Sequence, residues 1–457
     1  MITEEIKSAL KRVVGKERFF DDPEEILSFS YDAFILTSEP DVVIYPETTK
    51  EVSGIMKIAD RENIPVTCRG SGTNISAASL PVKKGIALCF TKMNRVIEVN
   101  TRDRYVIVAP GLINGELQKV LAKEGFFYPP DPGSMNVSTI GGNIAQNAGG
   151  PRCLKYGVTG DYVLAMEVVL ASGKIVRVGS RNVKDVTGYK LSSLFCGSEG
   201  TLGIVTEATL RVVPIAESHR TILATYDDLE DTANTVADII GSGILPAAME
   251  LMDKTVINVV ADASGMSLPG EAAGMLLIEI DGVEEAVEKE MKRIAEKART
   301  NGARDVTVAH TQKESDDLWA ARRLAYGAFA RLAPNCIVED VTVPVSNVPK
   351  MIKATREIAD RYKLHVGILA HAGDGNMHPL IAHDPNDKDE LRRIEQAAKE
   401  IFETGVSLGG TLSGEHGIGL AKAEFLPLVM NQDTLDLMSD IKKTLDPKSI
   451  LNPGKFV

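Results

Sequence analysis

The chain opens on an amphipathic pattern. In MITEEIKSALKRVVGKERFFDD the apolar Ile6, Leu10 and Val13 recur at helical spacing, which predicts a surface helix. Short apolar runs follow: DVVIYP at 41–46, IPVTCRG at 64–70, GIALCF at 85–90, RVIEVN at 95–100 and YVIVAPG at 105–111. Runs this short, with β-branched residues and turn formers around them, predict strands. Between the first two, KEVSGIMKIADREN at 50–63 places Val52, Ile55, Met56 and Ala59 on one helical face. The stretch 162–179, YVLAMEVVLASGKIVRVG, predicts two strands joined by a turn at Ser172-Gly173. After Pro214 the periods lengthen. A helix is expected over 284–300, with Val287, Met291, Ile294 and Ala298 on one face. Another is expected over 347–362, with Val348, Met351, Ile352, Thr355 and Ile358 aligned. This mixture predicts an α+β fold rather than a uniform βαβ array. The change of character puts a domain boundary near residue 215.

Composition narrows the class. At 457 residues, 44% apolar and 25% charged, the chain is long enough for two or three globular domains. Its net charge of -12 disfavours a general binder of nucleic-acid phosphates. The N-terminus lacks the apolar core of a signal peptide, and no apolar run approaches a membrane span. A cytoplasmic protein is therefore expected. The five cysteines, Cys68, Cys89, Cys153, Cys196 and Cys336, are scattered without a CxxC pair. Buried thiols are expected, rather than a disulfide framework or an iron–sulfur cluster.

Glycine gathers in three stretches: RGSGTN (69–74), DPGSMNVSTIGGNIAQNAGG (131–150) and GSEGTLGIVTEATLRVVP (197–214). Glycine lets backbone approach a ligand closely, and successive turns can aim N–H groups at a diphosphate. RGSGTN is neither a Walker loop nor a complete GxGxxG. Alone it reads first as an ordinary tight turn. Taken together, the three stretches resemble the flavin-binding domain of the vanillyl-alcohol oxidase and p-cresol methylhydroxylase superfamily. The ending LDPKSILNPGK (445–455) matches as well.

That resemblance implies a two-part FAD-binding domain of the p-cresol methylhydroxylase type over 1–215. It also implies a substrate or cap domain over 216–410, and a segment 411–457 that returns to the flavin. It assigns the loop Arg69, Gly70, Ser71, Gly72, Thr73 and Asn74 to the FAD diphosphate. Pro132, Gly133, Ser134, Thr139, Gly141, Gly142 and Asn143 are expected along the flavin. Gly200, Gly203, Ile204 and Val205 complete the pocket, and Asn452 comes from the returning tail. Family members with covalent FAD often carry a histidine in the first loop. Thr73 stands there in this chain, and no histidine precedes His219, so the FAD is expected to be non-covalent.

A second cluster lies near the end of the chain. HAGDGNMH spans His371 to His378, and SGEHGIG sets Glu415 beside His416. This is not the i, i+4 spacing of a zincin helix. The glycines instead predict a tight loop with a strand at each end. Two imidazoles and a carboxylate suit a divalent ion such as Zn2+, Fe2+ or Mn2+, with His416 left to act as a base. Hydrogen-bonded structural histidines in glycine-rich turns are the competing reading.

Both motifs resemble the FAD-linked D-2-hydroxyacid dehydrogenases, including D-lactate dehydrogenases and the flavin subunit of glycolate oxidase. The resemblance implies that His371, His378 and Glu415 bind the metal and that His416 is the catalytic base. It also implies that Arg322, in DLWAARR (317–323), holds the substrate carboxylate through its planar fork. The expected reaction is hydride transfer from a D-2-hydroxy acid to FAD. The family's 2-hydroxyglutarate members place further polar residues at the distal carboxylate; around Tyr326 and Val338, the positions the resemblance aligns with them, this chain is less polar, which favours a small substrate, D-lactate foremost. Glycolate, D-2-hydroxyglutarate and an electron-transfer flavin subunit with no substrate of its own are the alternatives. The chain has no cluster motif, no haem motif and no complete nicotinamide fingerprint. Electrons are thus expected to pass to a partner, an electron-transferring flavoprotein or an iron–sulfur subunit.

Overall fold

A computed structural model describes residues 2–266 and 268–456. The chain divides into two compact units. One comprises Met1–Gly149, Val158–Ile215 and Glu415–Val457, and the other Gly150–Gly157 and Ala216–Gly414.

Besides the pair Phe126–Phe127 and Val213–Pro214, the first unit holds two larger sheets among its described residues. In the four-stranded one, Val42–Ile44, Ile86–Cys89 and Val66–Arg69 run parallel, and Phe19–Phe20 pairs antiparallel with Val42–Ile44. The helix Thr49–Glu62 connects two of the parallel strands. It starts on a capping box: Thr48 Oγ1 accepts from the Glu51 N–H at 3.2 Å, and the Glu51 carboxylate accepts from the Thr48 N–H at 3.2 Å. It stops at Asn63, which adopts the left-handed conformation. Val52, Ile55, Met56 and Ala59 are buried, as their spacing predicts. They share a core with Leu10 and Val14 of the helix Glu4–Val14.

The second sheet of this unit is antiparallel throughout. Its order is Val96–Asn100, Tyr105–Val108, Ile204–Arg211, Val163–Val169 and Ile175–Gly179. The tail belongs to the same unit. The Val66 N–H donates to Ile450 O at 2.7 Å and the Asn452 N–H to Val66 O at 2.8 Å, so residues 450–452 lengthen the first sheet beyond its Val66–Arg69 edge. Buried Lys442 fixes this return, donating to Asp446 Oδ2 (2.6 Å), Thr201 O (2.7 Å) and Leu451 O (2.8 Å).

The second unit is built on one large antiparallel sheet. Its order runs Ala303–Ala309, Ser218–Tyr226, Gly274–Gly282, Ala248–Asp253, His365–His371, Asn376–His383 and Asn335–Val338. The helices Leu229–Gly241, Glu284–Thr300 and Val348–Tyr362 contribute to the core on one face. Val348, Met351, Ile352, Thr355 and Ile358 are all buried, as expected from their period. On the opposite face, Ala321, Ala325 and Phe329 of the helix Gln312–Phe329 pack against Met252, Leu369 and Leu380. The α+β character read from the sequence is the one observed. Among the described residues, no helix is long and apolar enough to cross a membrane.

Candidate functional site: a glycine-lined cleft and a histidine pair

The parallel strand Val66–Arg69 ends at a cleft in the first unit. Arg69, Gly70, Thr139, Gly141, Gly142, Gly200, Gly203, Ile204 and Val205 line it. These are half of the residues the sequence assigned to FAD. Cys68, Phe90, Pro110, Ala145, Phe195 and Ser198, which the motifs did not single out, line it too.

Close backbone approach explains the glycines. A Cβ on Gly70 would stand 2.1 Å from Thr139 Oγ1, which itself accepts from the Gly142 N–H at 3.2 Å. The remaining assigned residues are not in the lining. Gly72 packs under the Arg69 guanidinium, so close that a Cβ there would meet it at 2.1 Å. Ser71 and Thr73 share its loop. Pro132, Gly133 and Ser134 form a turn in which the Met135 N–H donates to Pro132 O at 2.8 Å. Asn143 is 3% exposed, and its Nδ2 meets no acceptor among the described residues.

Asn74 and Asn452 serve other segments. Asn74 Oδ1 accepts from the Ser76 N–H (3.0 Å) and the Ala78 N–H (2.7 Å), and its Nδ2 donates to His416 O at 3.4 Å. Asn452 Nδ2 donates to Ala78 O at 2.9 Å and Glu199 O at 2.7 Å.

Glu199 ties the cleft loop to the loop that carries His416. Its carboxylate accepts from the Ile418 N–H at 2.7 Å and the Gly419 N–H at 2.9 Å. Burial pushes this carboxyl up to about 7, despite those amides and the charge of Lys455. Glu199 was legible only as part of GSEGTLG; its partner lies more than 200 residues away, beyond the reach of any local pattern.

In the second unit, HAGDGNMH forms the turn expected from its glycines. His365–His371 and Asn376–His383 are antiparallel neighbours, with His371 opposite Asn376 and Leu369 opposite His378. Gly375 makes the turn at φ +81°, where a Cβ would lie 1.9 Å from Val343 O. Successive side chains alternate faces, so this register puts His371 and His378 diagonally on one face. Their ring centroids are 5.0 Å apart, edge to face, and both residues are buried.

The next strand adds an acid that the sequence reading missed. Glu250 lies directly opposite His371 and shares its face. Its Oε1 is 2.7 Å from His371 Nδ1, and its Oε2 accepts from Arg322 Nε at 2.7 Å. A terminal nitrogen of Arg322 also lies 2.7 Å from Oε2. Burial pushes the Glu250 carboxyl up, but the charges and hydrogen bonds of His371 and Arg322 outweigh it and hold it below its ordinary value. The available signal was two acids, Glu250 and Asp253, inside the apolar run AAMELMD.

Asp340 is a second missed acid, fully buried, with Oδ1 3.9 Å from His378 Nδ1. Its Oδ2 accepts from Ser413 Oγ at 2.5 Å and the Gly414 N–H at 3.0 Å. Glu415 and His416 follow Gly414 in the chain. Of the residues proposed from sequence, His371, His378 and Arg322 are thus gathered around Glu250 in this unit.

Two family models match: "FAD binding domain" over residues 40–179 and "FAD linked oxidases, C-terminal domain" over residues 215–456. The chain belongs to the FAD-linked oxidases.

As an FAD-linked oxidase it is a flavin-binding oxidoreductase, the class expected from the three glycine stretches. It is 45% identical to the glycolate oxidase subunit GlcD of Bacillus subtilis over 457 residues, covering 100% of this chain and 97% of that protein. It is 33% identical to a D-lactate dehydrogenase of Anaerostipes hadrus, covering 100% of this chain and 98% of that one. Among solved structures, p-cresol methylhydroxylase with substrate bound superimposes with a TM-score of 0.82 at 16% identity. That alignment covers 100% of this chain and 97% of the other, and it establishes the shared fold.

Proposed function

We propose that this FAD-linked oxidase oxidises a short 2-hydroxy acid to the 2-oxo acid. The observation that carries the proposal is the buried Glu250 carboxylate, which gathers an imidazole and a guanidinium within 2.7 Å of its oxygens. A cationic fork and metal-ligating imidazoles on one sheet face suit a substrate with adjacent carboxylate and hydroxyl groups.

The residues present fit both implied groups. The cleft has glycine-thinned walls, and Asn143 offers a buried amide without an acceptor among the described residues. Cys68 in the cleft wall is pushed up to about 12 by burial, which suits a non-covalently held flavin. His371 gives Nδ1 to Glu250, so it would bind an ion through Nε2. His371, His378 and Glu415 would hold a divalent cation, Zn2+, Fe2+ or Mn2+. When bound, the flavin supplies a hydride acceptor and the ion a Lewis acid that acidifies the substrate hydroxyl.

The protein's own groups do the rest. Arg322 spends Nε and one N–H of a terminal nitrogen on Glu250. The edge between its two terminal nitrogens remains to clamp the substrate carboxylate with two parallel hydrogen bonds. His416 takes the hydroxyl proton, and Asn74, Ser76 and Glu199 hold the backbone of its loop.

Glycolate and D-lactate are the proposed substrates. Similarity along the whole chain to a glycolate oxidase subunit favours glycolate. The expectation of D-lactate rested on a pocket suited to a small acid, and glycolate meets it equally. The Bacillus relative is named as a subunit, which supports electron delivery to a partner protein, an electron-transferring flavoprotein or an iron–sulfur subunit. The deciding experiment is an anaerobic flavin spectrum before and after addition of glycolate, D-lactate or L-lactate. Bleaching by glycolate or D-lactate but not L-lactate is expected. Flavin that stays oxidised with all three, in protein loaded with a divalent metal, refutes the proposal.

A further inference from the structure

We propose that Glu250 is a positioning residue that sets the ring of His371 and the guanidinium of Arg322 together, so that metal affinity and substrate binding depend on one carboxylate. The proposal rests on the reading above and deepens it. Strand register makes the arrangement unavoidable: Glu250 and His371 are cross-strand partners, and both project towards the helix that carries Arg322.

Each oxygen has a separate task. Oε1 accepts from Nδ1, which fixes the His371 tautomer and puts the ring's lone pair on Nε2. A carboxylate on the far nitrogen also makes an imidazole a stronger donor to a cation. Oε2 takes two N–H groups from one edge of the Arg322 fork, which orients the other edge. With Glu250 0% exposed and the Arg322 side chain 13% exposed, neither charge has solvent to replace the other. A neutral or shortened side chain at 250 therefore frees both partners to rotate.

The test uses the FAD-bound chain stripped of metal, titrated with Zn2+ against a chromophoric chelator. Wild type is compared with Glu250→Gln, Glu250→Ala and His371→Ala, and thermal unfolding is followed in parallel. Glu250→Ala is expected to weaken Zn2+ binding by about 10- to 100-fold. If that variant does not fold, the near-isosteric Glu250→Gln decides. It is expected to lose roughly tenfold in Zn2+ affinity, at the low end of outer-shell effects. It should also raise the KM for glycolate at saturating Zn2+, because the guanidinium loses the anion that aims it. Zn2+ affinity within twofold of wild type in folded Glu250 variants overturns the proposal, provided His371→Ala abolishes binding. Zn2+ affinity that survives His371→Ala overturns the metal assignment itself, and the proposal with it.

Discussion

Replacing Gly375 with alanine tests whether the turn between the two histidines is rigid. Gly375 sits at φ +81°, and its missing Cβ would point at a backbone oxygen, Val343 O, only 1.9 Å away. A left-handed alanine costs about 1–2 kcal/mol. Val343 O is a backbone atom just past the strand Val341–Thr342 and cannot rotate aside as a side chain does. Moving it strains the Val343 N–H bond to Gly375 O, 3.1 Å long, at a further cost of about 1 kcal/mol. With the steric strain added, a loss of roughly 3–5 kcal/mol is expected. Gly373→Ala is the internal control. Its Cβ would meet the Leu154 Cδ2 methyl at 2.5 Å, the far end of a flexible side chain, and no positive φ is involved. A cost of about 1 kcal/mol is expected there. Thermal unfolding followed by circular dichroism should separate the two, with Gly375→Ala melting roughly 10 °C lower and Gly373→Ala within a few degrees of wild type. Equal shifts for both variants, or a Gly375→Ala midpoint indistinguishable from wild type, would refute the argument from backbone geometry.

Three further outcomes are expected. His416→Ala should slow flavin reduction by about 10²–10⁴-fold in stopped-flow absorbance, and a change of only a few-fold would remove it as the base. Lys442→Met should destabilise by about 3–5 kcal/mol in urea, because Asp446 keeps its burial and loses its cation; Lys442→Met/Asp446→Leu should recover part of this, and no recovery would show the charge to be irrelevant. Glu199 gives a pH signature. Its carboxyl is raised from 4.5 to about 7, so the folded state holds the proton more tightly than the unfolded chain. The resulting stability is complete below pH 4.5 and lost as pH rises through about 7, a change of roughly 3 kcal/mol. The stability of wild type relative to Glu199→Gln should fall by about that much over this window in urea titrations, and parallel pH profiles would contradict it.

The sequence carried the elements and the family far better than it carried the pairings. The helix 284–300 was readable because its apolar positions recur at helical spacing, and the two strands within 162–179 because apolar runs flank the turn at Ser172-Gly173. The turn in HAGDGNMH was readable because Gly375 must adopt a conformation other residues avoid. Glu250 was not readable, because its meaning depends on lying opposite His371, 121 residues later, and register across a sheet leaves no local trace. Asp340 escaped for the same reason, since Ser413 and Gly414 reach it from 73 and 74 residues away. In the cleft, motif spelling identified nine of the fifteen lining residues. Cys68, Phe90 and Phe195 are ordinary apolar side chains, and only their place in the fold marks them.

The tail strand alongside Val66 bears on how the polypeptide matures during synthesis. Ile450 and Asn452 complete hydrogen bonds to the third strand of the first sheet, and Lys442 supplies the clasp. Everything between residues 66 and 450 must therefore be synthesised before that sheet acquires its final edge. Most of the second unit, Ala216–Gly414, is already outside by then, an uninterrupted stretch free to collapse first. The flavin-binding half must wait with an unfinished edge, a nascent state open to wrong strand pairing. Flavin capture is thereby placed after the synthesis of residues 450–452, so a stop before Ile450 should spare the larger sheet and leave the flavin-binding sheet without that edge.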